Sequence, residues 1–202
     1  MQGALRLSLP MRGGIPEALA LIASHEGWIA AQVSRWPQPL PFTPGAIIPF
    51  DGEPIVLEWH PAHPRQPRLH ADALRIGGPE ASLPARTLRW LRAEALADMA
   101  ASTHEIAAEV ARPVTQVRVG DPRARWGSCS TTRGVIAYSW RLILAPTHIR
   151  RNVVAHEVAH LVHGHHGPAF YALLAGLDPN TGASKLWLHS HGAALHWVGR
   201  EA

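Results

Sequence analysis

Residues 156 to 160 read His-Glu-Val-Ala-His, and the two histidines can point at one place only if the chain there is helical. No other stretch constrains the fold as strongly. At about 100° and 1.5 Å per residue, His156 and His160 lie about 40° apart around the axis and roughly 6 Å apart along it, close enough to converge on one Zn²⁺. Glu157, between them, is near enough to act on a water at that metal. Thr147 is a good N-cap and Gly164 a good helix stop, so the helix is expected from near residue 147 to near residue 164.

A third ligand must come from elsewhere. On an unbroken helix His163 would share the face but lie roughly 10 Å along the axis from His156, too far for both to reach one ion at about 2 Å. The chain must therefore turn back beyond the helix end, and Gly164 can supply the left-handed conformation such a turn wants. His165 or His166 would then follow. His166 is preferred, because five residues between second and third ligand match the H-E-x-x-H-x5-H spacing of the metzincins. His165 is the fallback, its other role being a solvated loop histidine. Three protein ligands leave the fourth position to water, which marks a catalytic site. Glu157 is then the general base, and the acid that later protonates the leaving amine.

At 202 residues and 47% hydrophobic content the chain can bury one real core with a small appended subdomain. Pro-rich patches at 37–41 and 61–67 read as loops. The balance of 19 basic to 15 acidic residues gives +4, modest and scattered, so a solvated basic surface is the main reading and nucleic-acid binding a secondary one. The single cysteine, Cys129, excludes an intramolecular disulfide and fits a reducing compartment. No charged start is followed by a sustained apolar run, and no stretch approaches about 18 apolar residues. A cytoplasmic protein without a membrane span is expected.

Alternation over residues 4 to 9 suggests a strand, and helical spacing of Ile15, Leu19, Ile22, Ile29 and Val33 a helix over 15 to 34. Residues 46 to 59 resemble two short strands around Asp51-Gly52, with a third from Arg68 to Ile76, in a small antiparallel sheet. The stretch from Pro84 to Ala111 has no Gly or Pro after Pro84 and favours a long helix. Val114 to Val119 and Val135 to Trp140 read as strands, the latter continued by Leu142-Ile143-Leu144. Helices over about 168–177 and 184–197 close the chain. The order gives an α+β fold in which a small mixed sheet packs on helices that include the motif helix, and the H-E-x-x-H motif makes it zincin-like. It divides into an N-terminal helix-and-hairpin subdomain, 1–83, and a metal-binding domain, 84–202, which can also form one continuous domain.

Metzincins carry Gly at the third position after the second histidine and a methionine turn downstream. Here that position is His163, and Met1, Met11 and Met99 all precede the motif. A metzincin proper is thus excluded. The thermolysin type, with a glutamate ligand on a later helix, is disfavoured because Glu201 is the only glutamate after Glu157.

Four segments carry a different match: 123–130 (Arg-Ala-Arg-Trp-Gly-Ser-Cys-Ser), 136–146 with Tyr138, Trp140 and Pro146, 153–161 around the motif, and 166–171 (His-Gly-Pro-Ala-Phe-Tyr). In them the chain resembles the YgjP-like family of metal-dependent hydrolases, related to SprT-type zinc peptidases and minimal gluzincin-like peptidases. The front half resembles it more loosely, through Trp28-Ile29, Phe42-Thr43-Pro44-Gly45 and Gly52. Departures are His165 and Gly167, where the family usually has Asn and Ser, and Val158 for Leu. The resemblance implies peptidase-like chemistry on a peptide or protein substrate, with Zn²⁺ on His156, His160 and His166 and Glu157 as base.

Other residues have plainer readings. Trp126 to Ser130 lacks a G-x-S-x-G elbow and reads as a tight turn into a strand, one that would edge the cleft and pair with extended peptide. Cys129 reads as a small buried hydrophobe. Arg125, His163 and Tyr171 are candidates for stabilising an oxyanion. His189, His191 and His196 lack partners at metal-ligand spacing. Tryptophans beside arginines, as at Trp140-Arg141, would suit nucleic-acid stacking only if exposed, and their spacing favours burial.

Overall fold

The computed structural model describes residue 7, residues 14–34 and residues 36–201; the strand expected over 4 to 9 lies outside the described residues. Among them are six α-helices and two small mixed sheets, an α+β architecture. The chain forms two compact units, 1–38 and 39–202.

The first unit holds α1 (Ile15–Ser24) and α2 (Glu26–Val33), where apolar spacing suggests one unbroken helix. The break is at His25, with φ −115° and ψ 13°. Its N–H turns to the Ile22 carbonyl, while the Ser24 hydroxyl and His25 Nδ1 both donate to the Leu21 carbonyl at 2.9 Å. Side chains thus take the acceptor that the helix would have used.

In the second unit, β1 (Ile47–Phe50), β2 (Glu53–Trp59), β3 (Arg68–His70) and β4 (Ala73–Ile76) form a sheet in the order β1-β2-β4-β3. Asp51 and Gly52 turn the first hairpin with φ of 56° and 83°, the positive pair that a two-residue type I′ turn requires. The stretch from Arg68 to Ile76 holds two strands instead of one, and β2 pairs with β4 in parallel. The sheet is therefore mixed rather than antiparallel. Side-chain alternation reports which face is buried and says nothing about the direction of a distant partner.

Long α3 (Leu83–Glu109) buries Leu83, Thr87, Leu91, Ala95, Met99, Thr103 and Ala107. A spacing of four drifts about 40° per step, so the buried stripe winds round the helix. That lets α3 touch β4, β5 (Gln116–Gly120) and α4 (Thr147–Ala159). The second sheet has the order β5-β7-β6, with β7 (Val135–Ser139) between parallel β5 and antiparallel β6 (Gly127–Ser130). Among the described residues β6 pairs with β7 alone. Tyr138 on β7 shares a 2.9 Å hydrogen bond with Thr103 on α3, pinning sheet to helix.

The apolar run after β7 does not extend the strand. Trp140–Leu144 is a buried 3₁₀ turn, which brings the Arg141 guanidinium beneath the end of α6 (Thr181–Leu195). Arg141 donates to the carbonyls of Leu195 at 2.6 Å and Val198 at 2.8 Å, and its Nε to Asp121 at 2.8 Å. Carbonyls left over at a helix end thereby gain a cation. Trp140 and Arg141 are both buried, which removes them as a stacking platform. Among the described residues no helix is long and apolar enough to cross a membrane.

Candidate metal centre

The motif helix α4 is fixed from its first turn. Arg150, 5% exposed, donates from Nε and Nη2 to Asp98 on α3 at 2.7 and 3.2 Å, and from Nη1 to Asp51 at 2.6 Å. Three elements, the β1–β2 turn, α3 and α4, meet on this guanidinium. Val154, Ala155, Val158 and Ala159 are buried, so packing sets the rotation of α4 and leaves His156 and His160 half-exposed on the other side.

The helix ends at Ala159 with His160 as its cap, earlier than Gly164, and the cap residue is Pro146, with Thr147 the first helical residue. Past the end, the N–H groups of Leu161 and Val162 reach back to Val158 and Ala159, and Thr131 donates to the His160 carbonyl at 3.1 Å. Gly164 is not among the glycines with positive φ, and a Cβ on it would meet nothing. The expected left-handed turn is absent; successive short backbone bonds and the Thr131 hydroxyl turn the chain instead.

This path brings His166, just ahead of α5 (Pro168–Leu177), back to the helix. The ligand-capable atoms of His156, His160 and His166 all lie within 4.8 Å of one another. Their ring centroids form a near-equilateral triangle, 4.9, 5.0 and 4.7 Å on a side. Neither His163 nor His165 belongs to the cluster. His163 contributes its backbone: its carbonyl accepts the Nδ1 hydrogen of His160 at 3.1 Å, which leaves Nε2 of His160 as the free lone pair.

Under the triangle lies Phe170, fully buried. Its centroid is 5.0, 4.6 and 4.8 Å from those of His156, His160 and His166. One apolar ring supports all three imidazoles, a role that spacing alone had not suggested.

Glu157 is 6% exposed and lies against β6. A Cβ placed on Gly127 would be 2.5 Å from its Oε1. Burial pushes the Glu157 carboxyl up to about 7, against the pull of Arg125. Burial, then the charges of His160 and His166, hold His156 down at about 4; burial also lowers His160, against its bond to His163. Both imidazoles are therefore neutral near pH 7, the state in which they can ligate. Cys129, raised to about 11 by burial and then by Glu157, stays a thiol.

The donor set suits a metal. At a Zn–N distance of about 2.0–2.1 Å a tetrahedral ion holds two ligand nitrogens roughly 3.3 Å apart; the Nε2 atoms of His156 and His166 are 3.1 Å apart.

Above the cluster opens a cleft of about 470 Å³, floored by His156, Glu157 and His166. Arg125 and Trp126 also line it, as do Thr181, Lys185 and Leu188 of α6, and Tyr171. Trp126 packs at a tilt on His196, ring centroids 5.0 Å apart, and lies against Gly192, where a Cβ would meet its ring at 2.7 Å. Of the three oxyanion candidates, Arg125 and Tyr171 line the cleft and His163 does not. Lys185 and Asn152 also line it and had no local signal beyond the i, i+4, i+7 spacing of Thr181, Lys185 and Leu188.

No curated protein matches this chain. The family model described as YgjP-like, metallopeptidase domain, matches residues 1–191 of the 202, and the chain belongs to that family.

Proposed function

We propose that the chain is a zinc-dependent hydrolase of zincin type that cuts peptide or other amide bonds. One observation carries the reading: three imidazoles whose ligand atoms lie within 4.8 Å of one another converge beside a buried carboxylate on the floor of an open cleft. A set of three nitrogens with open space beyond it favours Zn²⁺ in a catalytic site, and that ion would act as a Lewis acid toward a substrate carbonyl and water.

The chain's own groups divide the remaining work. His156, His160 and His166 would hold the ion, with His160 oriented through Nδ1 by the His163 carbonyl. Glu157 takes a proton on its carboxylate from the attacking water and returns it to the amine nitrogen as the C–N bond breaks. Arg125 and Tyr171 provide donors toward the oxygen that gains charge. An extended peptide pairs with the edge of β6 that no strand among the described residues occupies, and Gly127 of that strand adjoins Glu157.

Chelator treatment followed by metal readdition tests the reading. Hydrolysis of a peptide mixture should disappear with the metal and return with Zn²⁺. Hydrolysis that persists in metal-stripped protein contradicts it.

A further inference from the structure

Peptide hydrolysis leaves one cation of the cleft, Lys185, without a use. Among the described residues two cations line the cleft, Arg125 ahead of β6 and Lys185 on α6, and one acidic side chain, Glu157. Glu157 is buried on the floor and Arg125 acts on it electrostatically. Lys185 is exposed and has no hydrogen-bond or ion-pair partner among the described residues. Long cationic side chains on an open surface are usually solvated, but this one lines a cleft that the apolar side chains of Leu188 and Val153 also line. There a charge is screened less than in bulk water. Thr181, the first residue of α6, lines the same cleft, and the N-terminus of that helix is already met by the Asp178 carboxylate, which accepts the Asn180 N–H at 2.8 Å, so the attraction rests on the two cationic side chains.

We propose that the cleft selects substrates bearing a carboxylate close to the bond that is cut, bound by Lys185 with Arg125 adding to the attraction. This rests on the hydrolase reading of the same site. An aspartate or glutamate side chain and a free C-terminus offer the same group, and the test separates them.

Zinc-loaded full chain is given peptides matched in all but charge, Glu against Gln at each position flanking the cut and C-terminal acid against C-terminal amide. Losing the preferred carboxylate should lower kcat/KM about five- to tenfold. A loss confined to the Gln peptides assigns the side chain, and one confined to the amides assigns the terminus. Lys185→Arg should keep the preference and Lys185→Glu should abolish or invert it. Calorimetric Kd values for the same peptides on the Glu157→Gln protein read binding without turnover and should show the same ratio. Equal values for acidic and neutral peptides, or a preference that survives Lys185→Glu, overturn the proposal. If no peptide is cut while carboxylate binding still depends on Lys185, the binding site stands and the hydrolase reading falls.

Discussion

Gly127 on β6 and Glu157 on α4 are packed so closely that a single methyl group on the glycine would lie 2.5 Å from Oε1 and 2.6 Å from Cγ of the glutamate. The glycine of the Trp-Gly-Ser-Cys segment is thus explained by the carboxylate it admits. Gly127→Ala should push that carboxylate aside and lower peptide hydrolysis about a hundredfold, the usual cost of misplacing a catalytic group by about 1 Å. Zinc content should be unchanged. Steady-state kinetics alongside metal analysis checks this, and full activity in the variant would count against it.

Phe170 supports the three imidazoles from below. Replacing it by alanine should destabilise the fold by about 3–5 kcal/mol, as large core truncations do, and weaken zinc binding roughly 10–100-fold, as loss of outer supports does. Denaturant unfolding and a competitive chelator titration measure the two effects separately. Phe170→Leu should recover most of the stability and less of the affinity.

His163 and His166 are three residues apart and have opposite roles. Since His163 supports His160 through its main-chain carbonyl, His163→Ala should leave zinc affinity within about threefold of wild type. His166→Ala removes a nitrogen of the cluster and should cost more than about a hundredfold. A reversed order in a chelator titration would refute the assignment.

Acid should loosen the fold at Arg150. Burial opposes ionisation of Asp51, but the Thr147 hydroxyl and the Arg150 guanidinium together hold its carboxyl below the usual value of 3.8. A carboxylate whose folded pKa is depressed adds stability that is complete above its unfolded pKa and is lost as pH falls through the lower folded one. The urea midpoint should therefore drop below about pH 4, and less steeply in Asp51→Asn. Arg150→Ala should cost about 2 kcal/mol at neutral pH, less than the roughly 3–5 kcal/mol of a fully buried ion pair because Asp51 and Asp98 are partly solvated and can rehydrate.

Much of the centre was legible from spacing because a helix repeats regularly: the four-residue interval brought His156 and His160 to one face, and axial distance set His163 apart. What lay beyond the helix was less legible. Its end was misplaced because backbone bonds from Leu161 to His163 and the Thr131 hydroxyl, 29 residues away, turn the chain without help from Gly164. The parallel pairing of β2 with β4 and the mixed first sheet depend on strand order, which no local pattern encodes. Phe170 stood in the sequence only as part of the 166–171 segment and Lys185 belonged to no motif; the packing of α5 and α6 is what places them at the cluster and its cleft.

Comparing wild type with Glu157→Gln for zinc content and peptide hydrolysis tests the central claim most directly. The account predicts about one zinc per chain in both proteins, with hydrolysis in the variant lowered by at least about a hundredfold. Full hydrolysis by Glu157→Gln at unchanged zinc content would contradict it.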